Sequence, residues 1–65
     1  MITFHFNGEA VKTQPQSIEQ FVHERIGSDE GVAVAVDGAV VPRSQWGREI
    51  ESGNILDVLT AVQGG

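Results

Sequence analysis

Asn7 and Gly8 form the dipeptide most typical of a tight β-hairpin turn, because both positions of a type I′ turn require positive φ angles. The dipeptide separates residues 2–6 from residues 9–13, and residues 2–6 alternate apolar and polar side chains. The sequence therefore predicts a hairpin with one buried face. An isolated hairpin is only marginally stable in water, so another element must cover that face.

The covering element is predicted directly after the hairpin. Apolar side chains recur there at helical spacing, at Ile18, Phe21, Val22 and Ile26. Ser17 and Gln20 have the spacing of a capping box, and Gly27 is suited to end the helix. We therefore predict one main helix at about residues 18–26.

Further strands are predicted in the second half of the sequence. Residues 32–36 alternate valine with alanine, so the valines are expected to face the core and the alanines to face outward. Asp37-Gly38 predicts a turn into a short strand at 39–41, and Ser44 can cap one short helical turn. The last strand is predicted at residues 55–62, with one face formed by Leu56, Val58 and Val62.

These elements together predict an α+β fold, in which a mixed sheet of four to five strands packs on one main helix. A chain of 65 residues makes one domain at most, and we assign it to residues 1–62. Residues 63–65 have nothing to bury and are predicted to form a flexible tail.

The composition excludes several classes of function. The net charge is −5, with four basic residues, so a phosphate-binding footprint is missing and no nucleic-acid partner is expected. The sequence has no cysteine, which excludes disulfides and thiolate metal sites, and no metal site is predicted. No apolar run approaches the ~20 residues of a membrane span, and residues 1–9 do not resemble a signal peptide. We therefore expect a cytoplasmic protein without a membrane partner.

The feature that carries chemistry is the pair Gly64-Gly65 at the end of the sequence. Glycine lacks a Cβ atom, so such a tail, with Gln63 before it, can enter a narrow channel and present the Gly65 α-carboxylate inside a partner's active site. A carboxylate becomes a good electrophile only when activated, for example as an acyl-adenylate. The sequence has no GxxxxGK[ST] loop to bind ATP, so we expect a separate protein to activate it.

Residues 36–46 combine a predicted strand and turn with Val-Pro-Arg followed by Trp, and residues 53–65 combine the last predicted strand with the Gly-Gly tail. In these two stretches the sequence resembles the ThiS family of sulfur carriers, which have a ubiquitin-like β-grasp fold. Gln63 departs from the family, where small or apolar residues are common before the glycines.

The resemblance implies a sulfur-carrying cycle on Gly65 in thiamine biosynthesis. A ThiF-like adenylyltransferase would use ATP and magnesium to adenylate Gly65, and sulfur from a cysteine-derived persulfide would convert it to a thiocarboxylate. A ThiG-like thiazole synthase would then accept the sulfur. The chain would be a carrier and cosubstrate, not an enzyme, and would bind no cofactor itself.

Four residues are predicted to contact partners, namely Leu59, Ala61, Asp57 and Arg43. The first three are expected to share the outer face of the last strand, beside Ala33 and Ala35. We predict partner contacts there because exposed apolar patches often mark interaction sites. Trp46 is expected in the core. Three other functions fit the same sequence: a MoaD-like subunit of molybdopterin synthesis, a ubiquitin-like protein modifier, and a binding domain with an idle tail.

Overall fold

A computed structural model describes residues 1–27 and 30–60 of the chain. The elements follow in the order β1 (Ile2–Phe6), β2 (Glu9–Thr13), α1 (Ile18–Arg25), β3 (Val32–Val36), β4 (Ala39–Val41), a 3₁₀ turn (Arg43–Gln45) and β5 (Ile55–Thr60). The predicted α+β class, with five strands and one main helix, is confirmed. The predicted tail at 63–65 and the core residue Val62 lie outside the described residues.

All five strands form one mixed sheet in the order β2-β1-β5-β3-β4. The last strand, β5, lies in the centre, between β1 and β3. It pairs with β1 in parallel over only two residue pairs, His5↔Ile55 and Phe6↔Leu56. Its antiparallel ladder with β3 is longer and runs from Val36↔Leu56 to Val32↔Thr60. The segment that leads to Gly65 therefore starts from the middle of the sheet.

Both sequence-predicted turns adopt the left-handed backbone that a type I′ turn requires. Asn7 and Gly8 have φ angles of 49° and 89°, and Asp37 and Gly38 have φ angles of 53° and 86°. Asparagine, aspartate and glycine tolerate this conformation better than other residues. The two turns therefore fix the register of the β1–β2 and β3–β4 hairpins.

The first residue of each turn also binds β5 through its side chain. The Val58 N–H donates to Asn7 Oδ1 at 2.8 Å, and Asn7 Nδ2 donates to the Val58 carbonyl at 3.2 Å. On the other side of β5, the Ile55 N–H donates to Asp37 Oδ1 at 2.8 Å, and Asn54 Nδ2 donates to Asp37 Oδ2 at 3.1 Å. The two turn residues thus hold the central strand from both sides.

The core lies between α1 and one face of the sheet. Its buried side chains are Phe4, Ile18, Phe21, Val22, Val34, Val36, Val41, Trp46, Ile50, Leu56 and Val58. The Phe21 ring from the helix meets Phe4 and Phe6 edge-on, with centroid distances of 5.1 and 5.0 Å. Such edge-to-face pairs add to the stabilisation that burial provides.

The helix begins with the predicted capping box. The Gln20 N–H donates to Ser17 Oγ at 3.1 Å, and the Ser17 N–H donates to Gln20 Oε1 at 3.0 Å. At the other end, Gly27 has a φ angle of 92°, and its N–H donates to the His23 carbonyl at 3.0 Å. The left-handed residue that ends the helix is therefore the predicted glycine.

Two local predictions were wrong. Ile26 was predicted to belong to the apolar side of the helix, but it follows the last helical residue and is 37% exposed. At the same end of the helix, the Arg25 guanidinium lies 5.3 Å from the centroids of both Phe6 and Phe21. Ser44 does not cap the short turn, which begins at Arg43 after the extended residue Pro42.

Candidate functional site

The structure positions the strand that precedes the predicted sulfur-carrying residue. Gly65, Gly64 and Gln63 lie outside the described residues, and Gly65 follows Thr60, the last residue of β5, by five positions. Five residues span at most about 18 Å when fully extended. A partner that reacts with Gly65 must therefore come close to the end of β5.

One face of the sheet is not covered by α1, and we call it the outer face. It contains Ile55, Asp57 and Leu59 of β5, Ala33 and Ala35 of β3, and Val40 of β4. The pairing register places Ala33 beside Leu59 and Ala35 beside both Asp57 and Val40. Leu59 is 71% exposed and Val40 is 77% exposed. This apolar surface adjoins the end of β5.

Leu59 and Asp57 lie together on the outer face, as the alternation of the last strand predicted. Their role in partner binding stays a prediction, and Ala61 lies outside the described residues. The sequence interpretation missed Ile55 and Val40. The Asp37-Gly38 turn contained the signal for Val40, because a two-residue turn pairs Val40 with Ala35.

The outer face becomes more polar on the side of β1 and β2. Alternation along these strands directs Thr3, His5 and Lys12 to the same side as Ile55. The apolar half of the outer face therefore belongs to β5, β3 and β4, with Asp57 as the acidic group within it. A partner surface that is mainly apolar and carries a cationic group would complement this half.

Arg43 and Trp46 lie at the 3₁₀ turn. Trp46 is 2% exposed, and its Nε1 donates to the Val41 carbonyl at 3.1 Å, so the predicted core role is confirmed. The Arg43 guanidinium lies 5.4 Å from the centroid of the Trp46 ring, within the range of a cation–π contact. This contact gives Arg43 a structural role, and its proposed contact with a partner stays a prediction.

Within 1–27 and 30–60, no group of three or more His, Asp or Glu side chains could hold a metal ion. The one α-helix in these residues is not long and apolar enough to cross a membrane.

Comparison of the chain with known proteins identifies a matching family. The ThiS family matches residues 3–65, which is nearly the whole chain and includes both terminal glycines. Among solved structures, the chain is similar to a thiamine biosynthesis protein (ThiS) from Geobacter metallireducens, with a TM-score of 0.81 and 17% identity over 98% of this chain and 100% of that one. This likeness confirms the β-grasp fold. No curated protein was found to match.

Proposed function

Because the chain belongs to the ThiS family, we propose that it is a sulfur carrier of thiamine biosynthesis that bears sulfur on the carboxylate of Gly65. The observation that carries the proposal is the extent of the family match, which continues from β1 through Gly65. The match favours the thiamine pathway over a MoaD-like role in molybdopterin synthesis.

The proposed chemistry begins with activation of the Gly65 carboxylate. A ThiF-like adenylyltransferase joins the carboxylate to AMP, with ATP and magnesium supplied by that enzyme, and pyrophosphate leaves. The terminal sulfur of a persulfide then attacks the acyl carbon and displaces AMP, which leaves an acyl disulfide. A thiol attacks the other sulfur of this disulfide, forms a new disulfide with it and releases the thiocarboxylate. Because this chain has no cysteine, both the persulfide and the thiol that releases the thiocarboxylate come from partner proteins.

The thiocarboxylate would then be a sulfur donor for a ThiG-like thiazole synthase. In this scheme the chain is a protein substrate, and the partner enzymes supply the catalytic groups. The two tail glycines, Gly64 and Gly65, present no side chain that would obstruct a narrow channel. Activation that consumes ATP fits the expected cytoplasmic location.

The fold supports this role by holding the strand that precedes the tail. β5 is hydrogen-bonded to β3 on one side, and on the other side it pairs with β1 at Ile55 and Leu56 and is hydrogen-bonded to the Asn7 side chain at Val58. The exposed apolar half of the outer face lies beside the end of β5 and offers a surface for the enzyme. The net charge of −5 favours encounter with a partner that carries a basic patch.

Intact-mass spectrometry of the full chain tests the proposal. The chain is incubated with the ThiF-like enzyme from the same genome, ATP, magnesium and a persulfide donor. We expect the mass gain that corresponds to replacing one oxygen atom by sulfur. A chain that lacks Gly65 should show no gain, whereas Gln63→Ala, which keeps both glycines, should gain the same mass as the unmodified chain.

The alternatives give different products in the same experiment. Covalent adducts between Gly65 and lysines of other proteins would indicate a ubiquitin-like modifier. Sulfur transfer to a molybdopterin precursor, but not to the thiazole synthase, would indicate the MoaD-like role. If an enzyme that adenylates another ThiS-family protein leaves this chain unchanged, the carrier proposal is wrong.

A further inference from the structure

The edge of β5 at Thr60 has the geometry of a strand-docking site. We propose that the enzyme that adenylates Gly65 adds an extended segment of its own chain at this edge, hydrogen-bonded to the backbone of Thr60. The inference rests on the proposed function, since it concerns how the activating enzyme holds the tail.

The first observation is that strand β1 stops short of the end of β5. The β1–β5 ladder ends at the pair Phe6↔Leu56, and the Asn7 N–H donates to the Leu56 carbonyl at 2.9 Å. The chain then turns away into β2 through Gly8. The Asn7 carboxamide takes the next place along the edge, where it bonds both the N–H and the carbonyl of Val58.

The second observation is the direction of the Thr60 backbone groups. In a strand, the N–H and carbonyl of alternate residues point toward the same edge. Leu56 and Val58 use theirs on the β1 side, so the N–H and carbonyl of Thr60 point to that side as well. Within the described residues no strand or side chain pairs with Thr60 there, although β3 pairs with it on the other side.

These observations leave a short unpaired edge beside a fixed strand. The unpaired N–H and carbonyl groups of a strand edge can form hydrogen bonds with a strand of another chain. In such strand addition the backbone hydrogen bonds provide affinity, and alternate side chains of the added strand provide specificity. Thr60 is exposed, and Leu59 beside it presents an apolar side chain on the outer face. A segment added here would contact both the edge and that side chain.

The position of the edge points to the activating enzyme as the occupant. Thr60 precedes Gly65 by five residues, a distance of at most about 18 Å. A strand that is paired at Thr60 fixes the direction in which the chain leaves the sheet, so fewer conformations of the tail remain to be ordered in the active site. A partner that did not react with Gly65 would gain nothing from this placement, and in the proposed scheme the activating enzyme is the first partner that reacts with it.

Amide hydrogen exchange measured by NMR tests the proposal on the full chain. Ala10 provides an internal control, because it lies between the paired residues Glu9 and Val11 of β2 and its N–H points out from the free edge of that strand. When the purified adenylating enzyme binds, we expect exchange at Thr60 to slow by about tenfold or more, as a new hydrogen bond requires. Exchange at Ala10 should not change.

A pair of proline variants provides the second test. Thr60→Pro removes the N–H on the open side and keeps the pairing with β3, and Ala10→Pro makes the same change at the free edge of β2. With both variants shown to be folded, we expect Thr60→Pro to lower the rate of sulfur loading about tenfold or more, by loss of hydrogen bonding at the interface. Ala10→Pro should load at the rate of the unmodified chain.

The outcomes separate this inference from the proposed function. If the unmodified chain is loaded but Thr60 shows no protection in the complex, or if both proline variants load equally, the strand-addition proposal is wrong and the carrier function stands. If Thr60 becomes protected in the free chain as its concentration rises, the occupant is a second copy and the proposal is also wrong. If the chain is never loaded, both proposals fail.

Discussion

Replacing Asn7 by alanine should destabilise the fold more than its position in a surface turn suggests. The substitution removes the two hydrogen bonds that the Asn7 carboxamide makes with the backbone of Val58, at 2.8 and 3.2 Å. It also places a Cβ-bearing residue without a compensating polar side chain at a φ angle of 49°. The effect therefore has one contribution from hydrogen bonding and one from the backbone.

The two contributions can be estimated separately. Losing two partly buried hydrogen bonds costs about 1–2 kcal/mol, because water can replace part of each bond at a sheet edge. Holding alanine in the left-handed conformation costs about 1 kcal/mol more. We therefore expect Asn7→Ala to lower the free energy of unfolding by about 2–3 kcal/mol. Asn7→Gly keeps the turn unstrained and should cost only about 1–2 kcal/mol.

Urea denaturation followed by tryptophan fluorescence measures both variants. Trp46 is the only tryptophan and is buried in the core, so its emission reports global unfolding. The midpoint should fall in the order unmodified chain, Asn7→Gly, Asn7→Ala, with similar slopes. In thermal unfolding, Asn7→Ala should lower Tm by about 10–20 °C in a domain of this size. If both variants stay within about 0.5 kcal/mol of the unmodified chain, Asn7 does not hold β5 as described.

Two further substitutions test the core and the outer face. Trp46→Phe removes the hydrogen bond to the Val41 carbonyl and part of the buried side-chain volume, so we expect the free energy of unfolding to fall by about 1–3 kcal/mol. Circular dichroism during thermal unfolding measures this change, and an unchanged Tm would contradict the described packing of Trp46. Leu59→Glu changes an exposed side chain and should alter stability by less than about 0.5 kcal/mol. It should nevertheless slow sulfur loading by the activating enzyme, and loading at the unmodified rate would exclude the outer face from the interface.

Local structure was predictable where a short pattern determines it. Asn7-Gly8 and Asp37-Gly38 form the predicted left-handed turns, and Ser17 with Gln20 forms the predicted capping box. These features depend on residues within a few positions of each other, and each has a specific backbone requirement. Ile26 was misassigned because its helical spacing is correct, whereas the helix ends at the residue before it.

The arrangement of the strands was not predictable in the same way. Alternation shows which residues of β5 share a face, but it does not show that β5 lies between β1 and β3. The miss of Val40 has a different cause, because the predicted Asp37-Gly38 turn already pairs Val40 with Ala35 on the outer face. The contact of Asn7 with Val58 joins residues 51 positions apart, and no local pattern indicates it.

The role of Gly65 was predicted from the terminal glycines and from the resemblance of residues 36–46 and 53–65 to the ThiS family. Glycine has no side chain whose chemistry could indicate a reaction. Physical reasoning from the sequence therefore predicts an accessible tail and a carboxylate that must be activated, but not the pathway. The family match over residues 3–65 provides the pathway.

The central claim is that sulfur resides on the carboxylate of Gly65, and fragmentation mass spectrometry of the intact, loaded chain tests it most directly. The chain is loaded with isotopically labelled sulfur by the adenylating enzyme and then fragmented along its backbone. The account predicts that the label appears only in fragments that contain Gly65. Label in fragments that end before Gly65, or no label in a chain that the enzyme has adenylated, would contradict it.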